Sequence, residues 1–177
     1  MFFALWPDTA TRDAIAAATL RLEPGPGGGR HIPPHRYHLT LPFLGEYPAD
    51  CAAVVAAACR AAARVHAPAF ELLLDRAAGF PIATAPAFLG CSAVPPGLHA
   101  LWDGLERELA AETVPVRASR ERVPHVTVQR GAKPPWPDTP LSPPIRWQVH
   151  EFHLLRSDLR AGFAYDTLAT WPLAAAG

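Results

Sequence analysis

Two short segments of this sequence place a histidine and a threonine at the same spacing. His38–Leu41 has the sequence HLTL, and His125–Val128 has the sequence HVTV. In an extended strand successive side chains point to opposite faces, so the histidine and threonine of each segment share one face. The two aliphatic residues share the other face. Each segment is therefore expected to bury its aliphatic face and to turn an imidazole and a hydroxyl away from the core.

Repetition of this pattern makes chance a poor explanation. Among 8 histidines, a single histidine followed by threonine two positions later is expected roughly 0.45 times. Two copies that both carry apolar residues between and after these positions have a probability on the order of 0.005. The pattern therefore indicates a functional site that contains both histidines. The alternative is two unrelated histidines in half-buried strands.

Two imidazoles and two hydroxyls in one cleft suit hydrolysis of a phosphodiester without a metal. In-line displacement at phosphorus needs a base and an acid on opposite sides of the phosphate, and His38 and His125 could supply them. With an ordinary pKa of about 6.5, one imidazole can be neutral while the other is protonated. Thr40 and Thr127 could donate to the non-bridging oxygens. Arg130 is a weaker candidate for binding substrate, because a regular strand would place it on the face opposite His125, where it would be a surface charge.

The elements that must position these residues can be predicted from periodicity and from turn residues. For the first half we expect a strand at Phe2–Trp6, a helix from an Asp8 cap to about Leu22, a strand at His38–Leu44, a helix from an Asp50 cap to about Val65 and a strand at Phe70–Asp75. For the second half we expect a strand at Ala87–Ala93, a helix at Gly97–Glu112, a strand at His125–Arg130, a loop at Lys133–Pro144 and extended segments at Ile145–Ser157 and Tyr165–Trp171.

The helix at Gly97–Glu112 has a continuous apolar face, which we interpret as core; it consists of Leu98, Leu101, Trp102, Leu105 and Leu109. The order of strand, helix, loop and motif strand occurs twice along the chain. Such a repeat predicts two pseudo-symmetric lobes whose motif strands meet at a shared cleft. We expect one two-lobed domain over residues 1–177, with repeat halves at roughly 1–83 and 84–177.

Composition limits the function classes. The 177 residues carry 16 Lys+Arg and 16 Asp+Glu, so no net field is available to hold duplex DNA or an anionic membrane, and an anionic ligand must be held locally. The three cysteines form no C-x-x-C pair and are expected to be reduced, buried thiols. Met1–Trp6 lacks the basic start of a signal peptide, and the apolar run Cys51–Cys59 is shorter than a membrane span. We expect a soluble, cytoplasmic monomer.

Other motifs in the sequence do not predict a metal or cofactor site. The segment His31–His35 contains two prolines, so its two histidines cannot form a helical zinc-binding pair. His150 and His153 would lie on opposite faces of a strand, and we interpret all four as loop or surface histidines. Gly25–Gly29 lacks the lysine of a phosphate-binding loop and is either a surface linker or a mobile loop over the site.

The motifs in their contexts resemble the two-histidine (2H) phosphoesterase superfamily, and most closely its bacterial and archaeal RNA 2′,3′-cyclic phosphodiesterases, also called 2′-5′ RNA ligases. The segments that carry this resemblance are His38–Glu46, Pro124–Arg130, Phe2–Pro7, Leu155–Leu159, Tyr165 and Trp171–Leu173. The resemblance implies an α+β fold of two lobes, each a small, mostly antiparallel sheet with outer helices, around a central cleft. It also implies hydrolysis of RNA terminal 2′,3′-cyclic phosphates to 2′-phosphomonoesters, with His38 as the proton donor and His125 as the acceptor.

Two alternatives remain open from the sequence. A non-catalytic module that binds RNA ends or nucleotides would also use nearby arginines, namely Arg30, Arg36, Arg117, Arg120 and Arg122. Two intact imidazoles argue against it, because a pure binder needs no matched acid and base. The second alternative is an enzyme for another cyclic phosphate or for reversible 2′-5′ joining of RNA. The expected partners are RNA ends or nucleotides with a 2′,3′-cyclic phosphate.

Overall fold

A computed structural model describes residues 1–22, 29–48, 51–82, 85–117, 122–133, 135–158 and 164–175. The strands are β1 (Phe2–Leu5), β2 (Arg30–His31), β3 (Leu39–Phe43), β4 (Phe70–Gly79), β5 (Ala85–Gly90), β6 (His125–Ala132), β7 (Thr139–Val149), β8 (Glu151–Asp158) and β9 (Ala164–Pro172). The helices are α1 (Thr9–Arg21), α2 (Ala52–Ala63) and α3 (Pro96–Ala111), and Pro34–Arg36 forms a single 3₁₀ turn.

The nine strands form one antiparallel sheet in the order β7-β4-β5-β6-β3-β1-β8-β9, with β2 paired to β6. β3 and β6 meet at the centre through the pair Leu39 and Val126. Apart from β2, four strands lie on each side of this junction, with β6 ending one set and β3 the other. The sheet therefore consists of two half-sheets, and the α+β prediction is confirmed. Each half-sheet takes strands from both halves of the chain, since β4 lies beside β5 and β8 lies beside β1. The repeat boundaries at 1–83 and 84–177 stay a prediction.

The helices cover the aliphatic face of the sheet. Asp8 caps α1 by accepting a hydrogen bond from the Thr11 backbone at 2.7 Å, as predicted. The apolar face of α3 is buried, and its members are Leu98, Leu101, Trp102, Leu105 and Leu109. They share one core with the aliphatic residues of both motif strands. The helices therefore leave the polar face of the motif strands uncovered by that core.

The loop prediction at Lys133–Pro144 is wrong from Thr139 onward, where β7 begins. β7 contains Pro140, Pro143 and Pro144, but it lies at the edge of the sheet and pairs only with β4. A proline removes one backbone donor, and an edge strand has donors that no neighbouring strand needs. The edge position, which the local sequence does not reveal, therefore makes a proline-rich strand possible.

The single extended segment predicted at Ile145–Ser157 is two strands. It breaks at His150, and β7 and β8 then lie in different half-sheets. His153, expected at the surface, is buried, with Nδ1 2.9 Å from the Thr170 hydroxyl. Its pairing partner on β9 supplies this hydroxyl, and no short-range pattern predicts that pairing.

Two further predictions concern residues near α2 and the glycine loop. The three cysteines are free, as predicted, but they are half-buried rather than buried. Cys51 is the residue that precedes α2, and Asp50, predicted to cap this helix, lies outside the described residues. The loop predicted at Gly25–Gly29 also lies outside them except for its last residue.

Candidate active site

Pairing of β3 with β6 brings the two motifs to the same face of the sheet. Leu39 and Val126 are neighbours across the junction, and both are fully buried on the core side. The histidine and threonine of each motif are half-buried and lie on the opposite face. The structure therefore places four of the predicted site residues together at the centre of the sheet, and they are His38, Thr40, His125 and Thr127.

Both imidazoles are held by the same type of backbone contact. Nδ1 of His38 lies 2.8 Å from the carbonyl oxygen of Arg36, and Nδ1 of His125 lies 2.7 Å from that of Val123. A carbonyl oxygen can only accept, so Nδ1 carries the hydrogen that it donates. Nε2 of each ring is thus the atom that can accept or release a proton toward a ligand. In both cases the carbonyl belongs to the residue two positions before the histidine, so the two imidazoles are oriented in the same way relative to their strands.

Aromatic rings surround each imidazole. The His38 ring centroid lies 5.1 Å from that of Phe2 and 5.0 Å from that of Tyr165, which meets it edge-on. The His125 ring lies 5.1 Å from Phe80, also edge-on, and 5.3 Å from Phe88. The sequence alone does not indicate that these four rings belong to the site, because their contacts depend on strand pairing. They restrict the imidazoles and keep water from their flanks.

Burial lowers the pKa of His38 to about 4. The hydrogen bond to the Arg36 carbonyl opposes this change, whereas the positive charges of His125, Arg36 and Arg130 reinforce it. Burial also lowers the pKa of His125, against the hydrogen bond to the Val123 carbonyl. Both imidazoles are therefore biased toward the neutral form in the free protein. An anion bound between them would favour the protonated form again.

A β-bulge brings Arg130 to the site. Thr127 pairs with Phe88 and Gln129 pairs with the neighbouring residue of β5, Ala87, so Val128 has no partner there and is one extra residue in β6. Val128 and Gln129 are consecutive, yet both are buried. Alternation resumes after them with an exposed Arg130 on the face that carries His125. The strand is not regular here, so the opposite-face position that a regular strand would give Arg130 does not apply, and the effect of its charge on His38 agrees with the position on the His125 face.

The first motif strand contains the same irregularity. The register of β3 against β1 shifts after Thr40, and the consecutive residues Leu41 and Pro42 are both buried. Phe43 returns to the open face, where it packs against a small cluster that contains Phe2. Phe43 and Arg130 therefore occupy matching positions, each five residues after a motif histidine. One half-sheet offers an aromatic ring where the other offers a guanidinium.

Arg36 adds a positive charge beside the first histidine. Its side chain is buried, and its guanidinium carbon lies 5.2 Å from the centre of the Tyr165 ring. Its Nη2 donates a hydrogen bond to the Tyr165 hydroxyl at 3.3 Å. Arg36 thus contributes in two ways, because its carbonyl orients His38 and its charge lowers the pKa of that histidine. The sequence shows that Arg36 is near the motif but does not indicate either of these roles.

In the described ranges, no group of three or more His, Cys, Asp or Glu side chains could hold a metal ion. No helix in these ranges is long and apolar enough to cross a membrane.

Two oriented imidazoles, each with a nearby hydroxyl, at the junction of two half-sheets define a two-histidine phosphoesterase type of site. Residues 6–161 match the family described as the 2′-5′ RNA ligase superfamily, and the chain belongs to this family.

Comparison with individual proteins agrees with this assignment. A Thermus thermophilus protein named RNA 2′,3′-cyclic phosphodiesterase is 31% identical over 183 residues, which cover 98% of this chain and 89% of that protein. An Escherichia coli protein of the same name is 32% identical over 151 residues, covering 84% of this chain and 82% of that protein. The crystal structure of E. coli LigT complexed with 3′-AMP superposes with a TM-score of 0.83 at 30% identity, covering 97% of this chain and 96% of LigT.

Proposed function

We propose that this protein hydrolyses RNA terminal 2′,3′-cyclic phosphates to 2′-phosphomonoesters, with His38 and His125 as a metal-independent acid and base. The observation that carries the proposal is the matched orientation of the two imidazoles. Both hold Nδ1 on a backbone carbonyl and leave Nε2 for proton transfer on one shared face. The names of two relatives support the choice of a cyclic phosphate as substrate.

In this mechanism a water molecule attacks phosphorus in line with the bond to the 3′ oxygen. His125 takes the proton of the water while the P–O3′ bond breaks, and His38 gives its proton to the departing 3′ oxygen. The phosphate stays on the 2′ oxygen. This order of roles follows the family resemblance, and it requires a protonated His38. The negative charge of the bound phosphate favours this protonated form of His38, because it opposes the repulsion from Arg36 and Arg130.

The hydroxyls of Thr40 and Thr127 hold the non-bridging oxygens in this proposal. Each lies on the face of its motif histidine, so both can donate to charge that develops on the phosphate. Arg130, which the β-bulge turns to this face, adds a guanidinium suited to phosphate oxygens. The two hydroxyls and the guanidinium together bind the phosphate oxygens, and none of them needs to exchange a proton.

The test is hydrolysis of an oligoribonucleotide that ends in a 2′,3′-cyclic phosphate, in excess chelator, with identification of the product. We expect full activity and a 2′-phosphate end. Activity that disappears in chelator and returns with zinc or manganese would reject the mechanism. Binding without turnover would support the non-catalytic alternative, and a joined product would support ligation. A screen of other cyclic nucleotides tests the remaining alternative.

Oligomeric state and location stay predictions of the sequence. The monomer expected there is tested by sedimentation of the purified protein, and the cytoplasmic location by fractionation of cells that express the full chain.

A further inference from the structure

Two arginines face each other across the junction of β2 and β6. Arg30 pairs directly with Arg130 in the antiparallel register, and both side chains are exposed. Residues that are directly opposite project from the same face of the sheet, and like charges in this position are destabilising. The pair therefore places two guanidiniums together at the end of β6 that continues from the second motif.

The other described arginines differ in whether a carboxylate neutralises them. Seven form ion pairs with carboxylates, and they are Arg60, Arg64, Arg76, Arg107, Arg122, Arg146 and Arg156. In the described part of the chain Arg12, Arg21 and Arg117 form no such pair, but none of these three is paired with a second arginine in the sheet. Within the described ranges neither Arg30 nor Arg130 has such a partner. The chain as a whole has a formal net charge of zero, so this pair is a local concentration of positive charge. An anion between the two guanidiniums would remove their repulsion.

The position of the pair relative to the histidines shows which anion it could hold. Arg130 is close enough to lower the pKa of His38 by its charge, so it borders the catalytic site. β2 runs along the same edge of β6 that β3 occupies at the motif, since Ile32 donates its backbone hydrogen to the Val128 carbonyl at 2.8 Å. Arg30 therefore extends the positive surface from the catalytic site outward along β6.

We propose that Arg30, beside the Arg130 that contacts the reacting phosphate, forms a second phosphate subsite that holds the backbone phosphate next to the terminal cyclic phosphate. This inference rests on the proposed function and specifies its substrate as an oligonucleotide end. A 2′,3′-cyclic mononucleotide has only the reacting phosphate and leaves the subsite empty. A dinucleotide with the same cyclic end supplies a second phosphate, for which a guanidinium offers paired, charge-assisted hydrogen bonds.

The experiment compares two substrates that share a base and differ by one nucleotide. The kcat/KM of the wild-type protein should be higher for the dinucleotide with a 2′,3′-cyclic end than for the cyclic mononucleotide. In Arg30→Gln, kcat/KM for the dinucleotide should fall about tenfold, mainly through KM, because a charge-assisted hydrogen bond is lost. For the mononucleotide it should stay within about twofold. Arg30→Lys, which keeps the charge, should give an intermediate value.

Arg107→Gln is the matched control for the loss of one positive charge. Arg107 is exposed on α3, and its partner Glu108 keeps an ion pair with Arg64. This variant should treat both substrates as the wild type does. The salt dependence adds a second measurement: the slope of log KM against log salt for the dinucleotide should fall by roughly 0.7 in Arg30→Gln only, the value for one phosphate contact on a single strand.

Two additional ligands identify the source of the second phosphate. A dinucleotide with an uncharged methylphosphonate linkage should lose the advantage over the mononucleotide. A cyclic mononucleotide with an added 5′-phosphate carries a phosphate on the same 5′ oxygen as the linkage, so it should regain the advantage in the wild type and lose it in Arg30→Gln. Equal loss on both natural substrates in Arg30→Gln, or no preference for the dinucleotide in the wild type, would overturn the subsite.

Failure of the proposed function is distinguishable from failure of the subsite. If neither substrate is hydrolysed, the catalytic proposal is wrong, but binding still tests Arg30. Titration with a dinucleotide that ends in a 2′-phosphate should then show weaker binding to Arg30→Gln than to the wild type. Titration with the 2′-mononucleotide should show the same affinity for both proteins. Unchanged binding of the dinucleotide would reject the subsite whatever the activity.

Discussion

The regions around the two motifs share a backbone arrangement but differ in their surroundings. In both, a carbonyl two residues earlier holds Nδ1, two rings flank the imidazole and a β-bulge follows the threonine. Around His38 the neighbours include the buried cation Arg36 and the hydroxyl of Tyr165. Around His125 they are the hydrocarbon rings of Phe80 and Phe88. The two histidines therefore have the same backbone geometry but different charges around them.

The two imidazoles differ in what lowers their pKa. Burial lowers the pKa of His38 most, and the positive charges of His125, Arg36 and Arg130 lower it further, whereas burial alone lowers the pKa of His125. A bound phosphate would raise both pKa values through its negative charge. The charges of Arg36 and Arg130 are therefore the part of the difference between the two histidines that substitution can test.

The largest expected effect is the loss of either imidazole. His38→Ala and His125→Ala should each reduce kcat by at least about 100-fold, because each removes a proton transfer. The double variant should lose far less than the product of the two losses, since the residues act as a unit. Steady-state rates on a cyclic-ended oligonucleotide measure this. More than about a tenth of the wild-type rate in either single variant would reject the assignment, and thermal unfolding of each variant controls for the fold.

A substrate with sulfur in place of the 3′ oxygen should separate the two roles. A thiolate leaves without a proton, so it does not need the proton donor. The rate of His38→Ala on this substrate should therefore be at least about tenfold closer to the wild-type rate than it is on the oxygen substrate. The sulfur substrate should not restore His125→Ala, which still lacks the acceptor for the proton of water. Single-turnover rates for both substrates and both variants give the comparison. Recovery in His125→Ala alone would show that the roles are reversed.

Loss of one motif hydroxyl should have a smaller effect. Thr40→Val and Thr127→Val keep the β-branched shape of the strand and should each cost about 1 to 4 kcal/mol of transition-state stabilisation. The profile of kcat/KM against pH should keep one acidic and one basic limb. Disappearance of a limb would mean that a threonine carries a proton. An unchanged rate would mean that the hydroxyls do not contact the reacting phosphate.

The smallest expected effect is on the position of the pH profile. Because burial lowers the pKa of both histidines, the maximum of kcat/KM should lie below about pH 6.5, the ordinary value for histidine. Arg130→Gln removes a charge that lowers the pKa of His38, so the limb of the profile that reports the titration of His38 should move to higher pH. Arg107→Gln should leave the profile in place. A maximum above pH 7 would contradict the electrostatic description of the free protein.

Local patterns in the sequence predict part of this site well. Alternation in the two motifs correctly separates His38 and His125 from the aliphatic core, and the apolar stripe of α3 is buried as expected. These properties depend on neighbours along one strand or helix. The position of Arg130 depends on a bulge, which pairing with β5 defines. Tyr165 and Phe80 reach the histidines from strands or loops far away in sequence, so only the pairing order reveals them.

At His150 the chain passes from the half-sheet of the second motif to that of the first, so neither half of the chain contains a complete half-sheet. β4 belongs to the first half of the chain but completes the half-sheet of the second motif, and β8 and β9 do the reverse. A cut between residues 82 and 85 would leave the first fragment without β8 and β9 and the second fragment without β4, which lies between β5 and β7. The fragments would have to exchange strands, as in a domain-swapped dimer, to rebuild either half-sheet.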